Sequence, residues 1–296
     1  LVIDNFEKLK QEFSEKFKSL AHNRRRHEVF SDWAEISALA LHQAPYNDGF
    51  RVKDDKYQEL EERYLGFVPK YQREGLNVIA QMFGVVQLSL AYSKRDFVGR
   101  LYEDLEIDSQ KAKQSGGIFF TPYPVAKSMA KMTLEANSLK QTIAQQGFVS
   151  ISDPACGAGG MLIAAVETLE ELGFDPQEVL YFEATDIDRL CFHMTYIQMS
   201  LLGIPGRVIH GNSLTEETWD IWETPRLQVI GAIRGQVVSE EEESGDEDSK
   251  PTPLLEGVVE SEEDIPPPLP SSPKSSPMVV LGQLELFSDE TSDSEG

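Results

Sequence analysis

Apolar residues recur every three or four positions from Phe6 through Leu9, Phe13 and Phe17 to Leu20, one stripe of an amphipathic helix. The same spacing predicts a second helix from Phe30 to about Leu41, ended by "APYND", and a third from Asp54 to about Leu65. A fourth runs from Gly75 to Leu90 and a fifth over "RDFVGRLYEDLEI". The aromatic residues of these helices read as core. After "KAKQSGG" the texture changes. "GFVSISD", "EVLYFEATD" and "GRVIHGN" are strand-like runs, separated by "GMLIAAVETLEELG" and "DRLCFHMTYIQMSLLG", which have helical length. This alternation predicts a parallel sheet with covering helices. "GIFFTPYPVAKSMAKM" ahead of the first strand is an entry loop and a helix with Pro124 in its first turn. "RLQVIGAI" is a fourth strand or a segment dressing the sheet edge.

Past Arg234, "SEEEESGDEDSKPTP" and "EDIPPPLPSSPKSSP" hold too little to bury and predict a disordered tail. The chain therefore divides into a helical N-terminal domain (1–110), an α/β domain (111–235) and an acidic, proline-rich tail (236–296). Charge follows the same division. Of the net charge of −23, the tail carries 17 acidic and only 2 basic residues, which leaves the folded part close to balance. The patch Arg24, Arg25 and Arg26 with His22 and His27 is a candidate for phosphate contact, or simply a solvated surface. Two cysteines, Cys156 and Cys191, are too few for a disulfide framework and point to a reduced, cytoplasmic protein. No run approaches ~18 consecutive apolar residues, so no membrane span is expected. No Cys/His cluster has metal-ligand spacing, and no metal is expected.

"DPACGAGG", Asp153 to Gly160, joins the first strand to its helix with three glycines. Such a turn lies at the carboxyl edge of a parallel sheet, where the helix's free N–H groups face a ligand. Its spacing fits neither the dinucleotide fingerprint nor the phosphate loop, and no lysine follows the glycines. Asp153, just before the turn, suits an amine instead. Asp186, ending the second strand in "EATDID", can accept both hydroxyls of a ribose. Ile187 can lie against a purine face, and Asn212, in "HGNSL", can pair with an adenine edge. Together these describe a nucleoside bearing an amino acid, S-adenosylmethionine.

"GIFFTPYPVAKSMAKM", "DPACGAGG", "EATDID" and "HGNSL", in this order, resemble the modification subunits of type I restriction systems and related adenine-specific (N6) DNA methyltransferases. The resemblance covers roughly residues 95–225, and the helices before it resemble that family's N-terminal helical domain. It implies a Rossmann-like methyltransferase fold, S-adenosylmethionine as cofactor, double-stranded DNA with a target adenine as substrate, and a specificity or partner subunit. By resemblance, Phe119, Phe120, Thr121 and Pro122 flank the methionine part of the cofactor. Asp153 and the backbone of Pro154, Ala155, Cys156, Gly157 and Gly159 hold its amino acid end. Asp186 and Ile187 take the ribose and purine, and Asn212 stands where the family has an aspartate facing adenine.

One part of the family pattern is missing. The Asn/Asp-Pro-Pro-Tyr/Phe tetrapeptide that handles the flipped adenine does not occur, since the Pro-Pro pairs at Pro266 to Pro268 have no Asn or Asp directly before them. No catalytic residue is assigned, and the α/β region offers at most one more strand. The leading reading is a site-specific DNA adenine-N6 methyltransferase of a restriction–modification or mobile-element system. The alternatives are an inactive cofactor-binding accessory protein, an enzyme completed by divergent residues or a partner subunit, and the front part of a split gene. A small-molecule or protein methyltransferase fits the glycine turn but not the "FFTP" segment. Among the remaining candidates, Trp219 and Trp222 seal the sheet edge, Cys156 fills space, Cys191 and His193 pack, and His210 is structural. "QLELF" in the tail is similar to the peptides that dock on the bacterial sliding clamp, through Gln283, Leu284, Leu286 and Phe287, or is a stray cluster in a solubilising tail.

Overall fold

Phe13 and Phe17, the centre of the first apolar stripe, are completely buried and meet Phe30 and Trp33 edge-on, with Phe13 and Trp33 5.0 Å apart. The computed structural model describes residues 2–105, 107, 120–233 and 278–280. The helical region comprises α1 (Val2–Leu20), α2 (Arg26–Asn47), α3 (Asp55–Gly66), α4 (Val68–Ser93) and α5 (Val98–Asp104). The α/β region follows with α6 (Tyr123–Thr133), α7 (Ala136–Gln146), β1 (Val149–Asp153), α8 (Gly160–Glu171), α9 (Pro176–Val179) and β2 (Leu180–Asp186). It continues with α10 (Arg189–Leu201), β3 (Gly206–Asn212), β4 (Glu217–Glu223), a helix α11 over 225–233, and β5 (Met278–Val280).

Four expectations need correction. Helix α2 does not stop before "APYND" but runs through Pro45 to Asn47. A proline in a last turn removes one backbone donor, while Pro45 and Tyr46 gain burial, Tyr46 lying 5.4 Å from the Tyr57 ring. Helix α4 starts at Val68 rather than Gly75, with Gln72 at φ 55° marking a kink. "RLQVIGAI" forms no strand. Pro225 opens a helix there, and Thr224 instead anchors the end of β4, its Oγ1 accepting from Gly206 N and donating to Ile204 O. The edge strand is "ETWDIWE", which turns back antiparallel to β3 through a bulge between His210 and Gly211. Finally, Met278–Val280, inside the stretch expected to be wholly disordered, pairs in parallel with β1. The rest of that stretch, with the 283–287 peptide, lies outside the described residues.

The sheet order is β4-β3-β2-β1-β5, parallel except for β4. Ile151, Phe182, Ala184 and Val208 alternate onto one face and have no exposed surface. Helices α8 and α10 pack on the strands, and α2 packs on α10. The helical and α/β regions therefore share one continuous core, from Phe13 to Trp222. Trp222 is its junction, with His42 of α2 at 4.8 Å and Phe192, Tyr196 and His193 of α10 at 5.1, 5.3 and 5.6 Å. Polar contacts rim this junction. Arg63 pairs with Glu35 at 2.5 Å and approaches Asp220 at 3.9 Å, and Lys56 lies 3.4 Å from Asp220.

Candidate functional site

Parallel strands end together, so β1 and β2 bring Asp153 and Asp186 to one edge beside the glycine turn. Asp153 is buried. Its Oδ1 accepts from Ala155 N at 3.2 Å, while its Oδ2 is buried with no hydrogen-bond partner. Burial pushes its carboxyl up to about 6, the Asp186 charge adding to this and the Ala155 N–H opposing it. A buried, half-satisfied carboxylate is costly unless something cationic completes it.

Asp186 is built differently. Its Oδ2 accepts from Gly157 N and its Oδ1 from Asp188 N, both at 2.8 Å, so the carboxylate ties the turn to the loop before α10. Each oxygen keeps a second lone-pair direction for a hydroxyl. Burial raises its pKa, against those backbone bonds. Ile187, next to it, is 60 % exposed, an apolar side chain presented to solvent at the site.

The glycines of the turn serve two purposes. A Cβ at Gly157 (φ +56°) would stand 2.9 Å from the Phe120 ring, so this glycine admits an aromatic cover. Phe120 also meets Tyr102 edge-on at 5.4 Å. A Cβ at Gly159 (φ +87°) would stand 3.2 Å from Thr195 Oγ1, so this glycine admits α10 rather than a ligand. Cys156 is buried away from the edge, its Sγ 3.4 Å from Thr195 Oγ1, and burial raises its thiol well above the ordinary range. The space-filling reading of Cys156 describes this position, and only its backbone belongs to the turn. Pro154 is half-buried and Ala155 exposed, whereas Thr121 and Pro122 are exposed at the start of α6. Phe119 lies outside the described residues.

At the end of β3, Asn212 is half-buried and its Oδ1 accepts from Leu214 N at 3.0 Å and Thr215 N at 3.4 Å. The side-chain oxygen shapes its own turn and leaves the Nδ2 group as its outward donor. The two tryptophans part company. Trp222 has no exposed surface, whereas Trp219 is 51 % exposed and rests edge-on against His210 at 4.8 Å. His193 is packed as expected, with both ring nitrogens buried and unpartnered, and burial holds it well below its ordinary pKa. Two arginines of the exposed basic patch also make contacts within the fold. Arg24 donates to Lys70 O and lies over Tyr71, and Arg26 donates to Leu105 O and lies over Phe17.

Sequence reasoning missed the polar residues behind the turn. Thr195 Oγ1 donates to Gly157 O at 2.8 Å, and Gln198 Nε2 donates to Ala158 O at 2.7 Å and Asp96 Oδ1 at 2.9 Å. Both residues are fully buried. The available signal was "TYIQMS", two uncharged polar residues three apart inside an apolar helix.

A glycine turn at the carboxyl edge with one acid before it and another ending the next strand places the chain in the class of open α/β folds whose ligands lie at that edge. Residues 93–233, which build most of this region, match the family of N-6 DNA methylases, and the chain resembles the modification subunits of type I restriction systems. It is 26 % identical over 185 residues to the type I restriction enzyme MjaIX methylase subunit of Methanocaldococcus jannaschii, covering 57 % of this chain and 31 % of that protein. It is 26 % identical over 129 residues to the type I restriction enzyme MpnII methylase subunit of Mycoplasma pneumoniae, covering 42 % and 22 %. The chain thus spans a third or less of the curated relatives it matches. Among solved structures, a type I modification subunit from Vibrio vulnificus YJ016 is similar at 25 % identity and TM-score 0.32, over 47 % of this chain and 27 % of that one. A type I restriction–modification methyltransferase subunit from Streptococcus thermophilus is similar at 15 % identity and TM-score 0.38, over 73 % and 60 %.

Proposed function

We propose that this chain binds S-adenosylmethionine at the carboxyl edge of β1–β3 and forms the donor half of a DNA adenine-N6 methyltransferase of a restriction–modification or mobile-element system. The observation that carries the reading is the unpartnered, buried Oδ2 of Asp153, one strand from Asp186. An α-ammonium answers that oxygen, two ribose hydroxyls answer the free lone pairs of Asp186, and Ile187 offers an apolar face to the purine. When bound, the cofactor supplies an electrophilic methyl group. The chain's own part is to bind and orient it, with Phe120 covering the turn. Double-stranded DNA, and a specificity or partner subunit, are the partners that go with this reading.

A second reading is an inactive cofactor-binding accessory protein, which keeps the donor site and transfers no methyl group. Calorimetry with S-adenosylmethionine on the wild type and Asp186→Ala tests the donor site, and tritiated methyl transfer to unmethylated DNA separates the two readings. Tight cofactor binding with no counts transferred sinks catalysis by this chain alone. No binding by the wild type sinks both.

A further inference from the structure

The glycine turn is gripped from behind. Thr195 and Gln198, one turn apart on α10, take two successive carbonyls of the turn, Gly157 O at 2.8 Å and Ala158 O at 2.7 Å. No peptide bond among the described residues is cis, so drawing the carbonyl of Gly157 toward α10 points the N–H of Ala158 away from α10. The donors on α10 therefore set the direction of the turn's backbone dipoles.

Gln198 does more than Thr195. Its Oε1 accepts from Phe97 N at 3.0 Å and Val98 N at 3.1 Å, the N-cap and first residue of α5, while its Nε2 also donates to Asp96 Oδ1 at 2.9 Å. Two donors and two acceptors exhaust what a carboxamide can do. Asp96 in turn accepts from Gly99 N at 2.9 Å, closing the first turn of α5. All of these groups are buried, so none can exchange a lost partner for water. One amide thus joins the cofactor turn, α10 and the end of the helical region, across a sequence separation of about a hundred residues.

We propose that Thr195 and Gln198 are positioning residues for the donor turn, and that Gln198 links cofactor binding to the start of α5. The proposal rests on the reading of the turn as an S-adenosylmethionine site. Neither residue touches the ligand. Their effect runs through the backbone of Gly157 and Ala158, and for Gln198 it reaches Phe97 and Val98 as well.

The test uses the full chain as wild type, Thr195→Val and Gln198→Leu, with cofactor affinity from calorimetry well below each variant's melting temperature and backbone amide exchange with and without cofactor. Affinity should fall roughly three- to tenfold in Thr195→Val and at least about tenfold in Gln198→Leu, in line with lost buried hydrogen bonds. Cofactor should slow exchange at Phe97 and Val98 in the wild type and in Thr195→Val, but not in Gln198→Leu, a readout that a merely structural role leaves unmoved. Affinities within twofold of wild type, or exchange at Phe97 and Val98 indifferent to cofactor in the wild type, overturn the proposal. If Gln198→Leu does not fold, Thr195→Val decides the positioning role, with unchanged affinity overturning it. A wild type that binds no cofactor removes the reading of the site instead. The link is then decided in the free protein, where Gln198→Leu must speed exchange at 157–159 and 97–98 together, and speeding at one place only overturns it.

Discussion

The two ends of the carboxyl edge are built on opposite principles. On the donor side, β1 and β2 deliver a buried carboxylate with an unpartnered oxygen and a half-buried one with lone pairs to spare, against a turn backed by polar side chains. At the other end, β3 runs into a turn that consumes the oxygen of Asn212, and β4 folds back antiparallel with Trp219 half-exposed. The first carries an unmet demand for a cation and the second meets its polar demands internally. An unmet buried charge is a stability cost that a bound cation would offset, and on the proposed function that cation is the cofactor's ammonium group.

The largest effect should come from the residue with the unmet charge. Asp153→Asn should weaken cofactor binding by at least about a hundredfold, by analogy with charge-assisted pairs. It should also stabilise the free protein above pH 6 by up to ~3 kcal/mol, since the raised native pKa is a penalty paid by the ionised form. Calorimetry and thermal unfolding at pH 8 check both signs, and a destabilised Asp153→Asn would break the contrast. Asp186→Ala should cost roughly tenfold to a hundredfold in affinity, and here unfolding should come earlier, because Gly157 N and Asp188 N lose their acceptor. Opposite stability changes in these two neighbours are the sharpest form of the comparison.

Acid should act on the donor side next. Asp153 is ionised in the free protein only above about 6, so cofactor affinity should fall as pH drops through 6, by at most about tenfold per unit. Acid should also weaken the fold, through different groups. His42 is held down to about 4 and His193 well below its ordinary value, both by burial. A depressed native pKa means stability is full above the unfolded histidine pKa of about 6.5 and is lost as pH falls toward the native value. Melting temperature should drop between pH 6.5 and 4.5, and His42→Phe should flatten that slope. The smallest effect belongs to the β3 end. Asn212→Asp keeps the oxygen its turn needs and should change cofactor affinity by less than about threefold. A tenfold loss would move Asn212 into the donor site and erase the contrast.

Much of this was legible in the sequence, for a local reason. The order of strands and helices, the glycine turn and the acids at 153 and 186 follow from short-range patterns that parallel pairing then brings to one edge. The misses have non-local causes. "TWDIWE" becomes a strand because Trp222 finds a pocket between α2 and α10, and "RLQVIGAI" becomes a helix because the sheet edge is already taken. Pro45 stays within a helix because burial of its neighbours outweighs one lost hydrogen bond. For the basic patch the sequence left phosphate contact and a solvated surface both open, and the backbone carbonyls that hold Arg24 and Arg26 lie far along the chain.

Local periodicity and the spacing of glycines and acids were enough to determine the class of fold and the donor-side carboxylates, because those depend on neighbours a few residues apart. Only the tertiary structure decided which glycine faces an aromatic ring and which faces a helix, which tryptophan is core, and that Gln198 ties the turn to α5. Each of those depends on what residues distant in the chain bring within hydrogen-bonding or packing distance, and no spacing along the sequence records it.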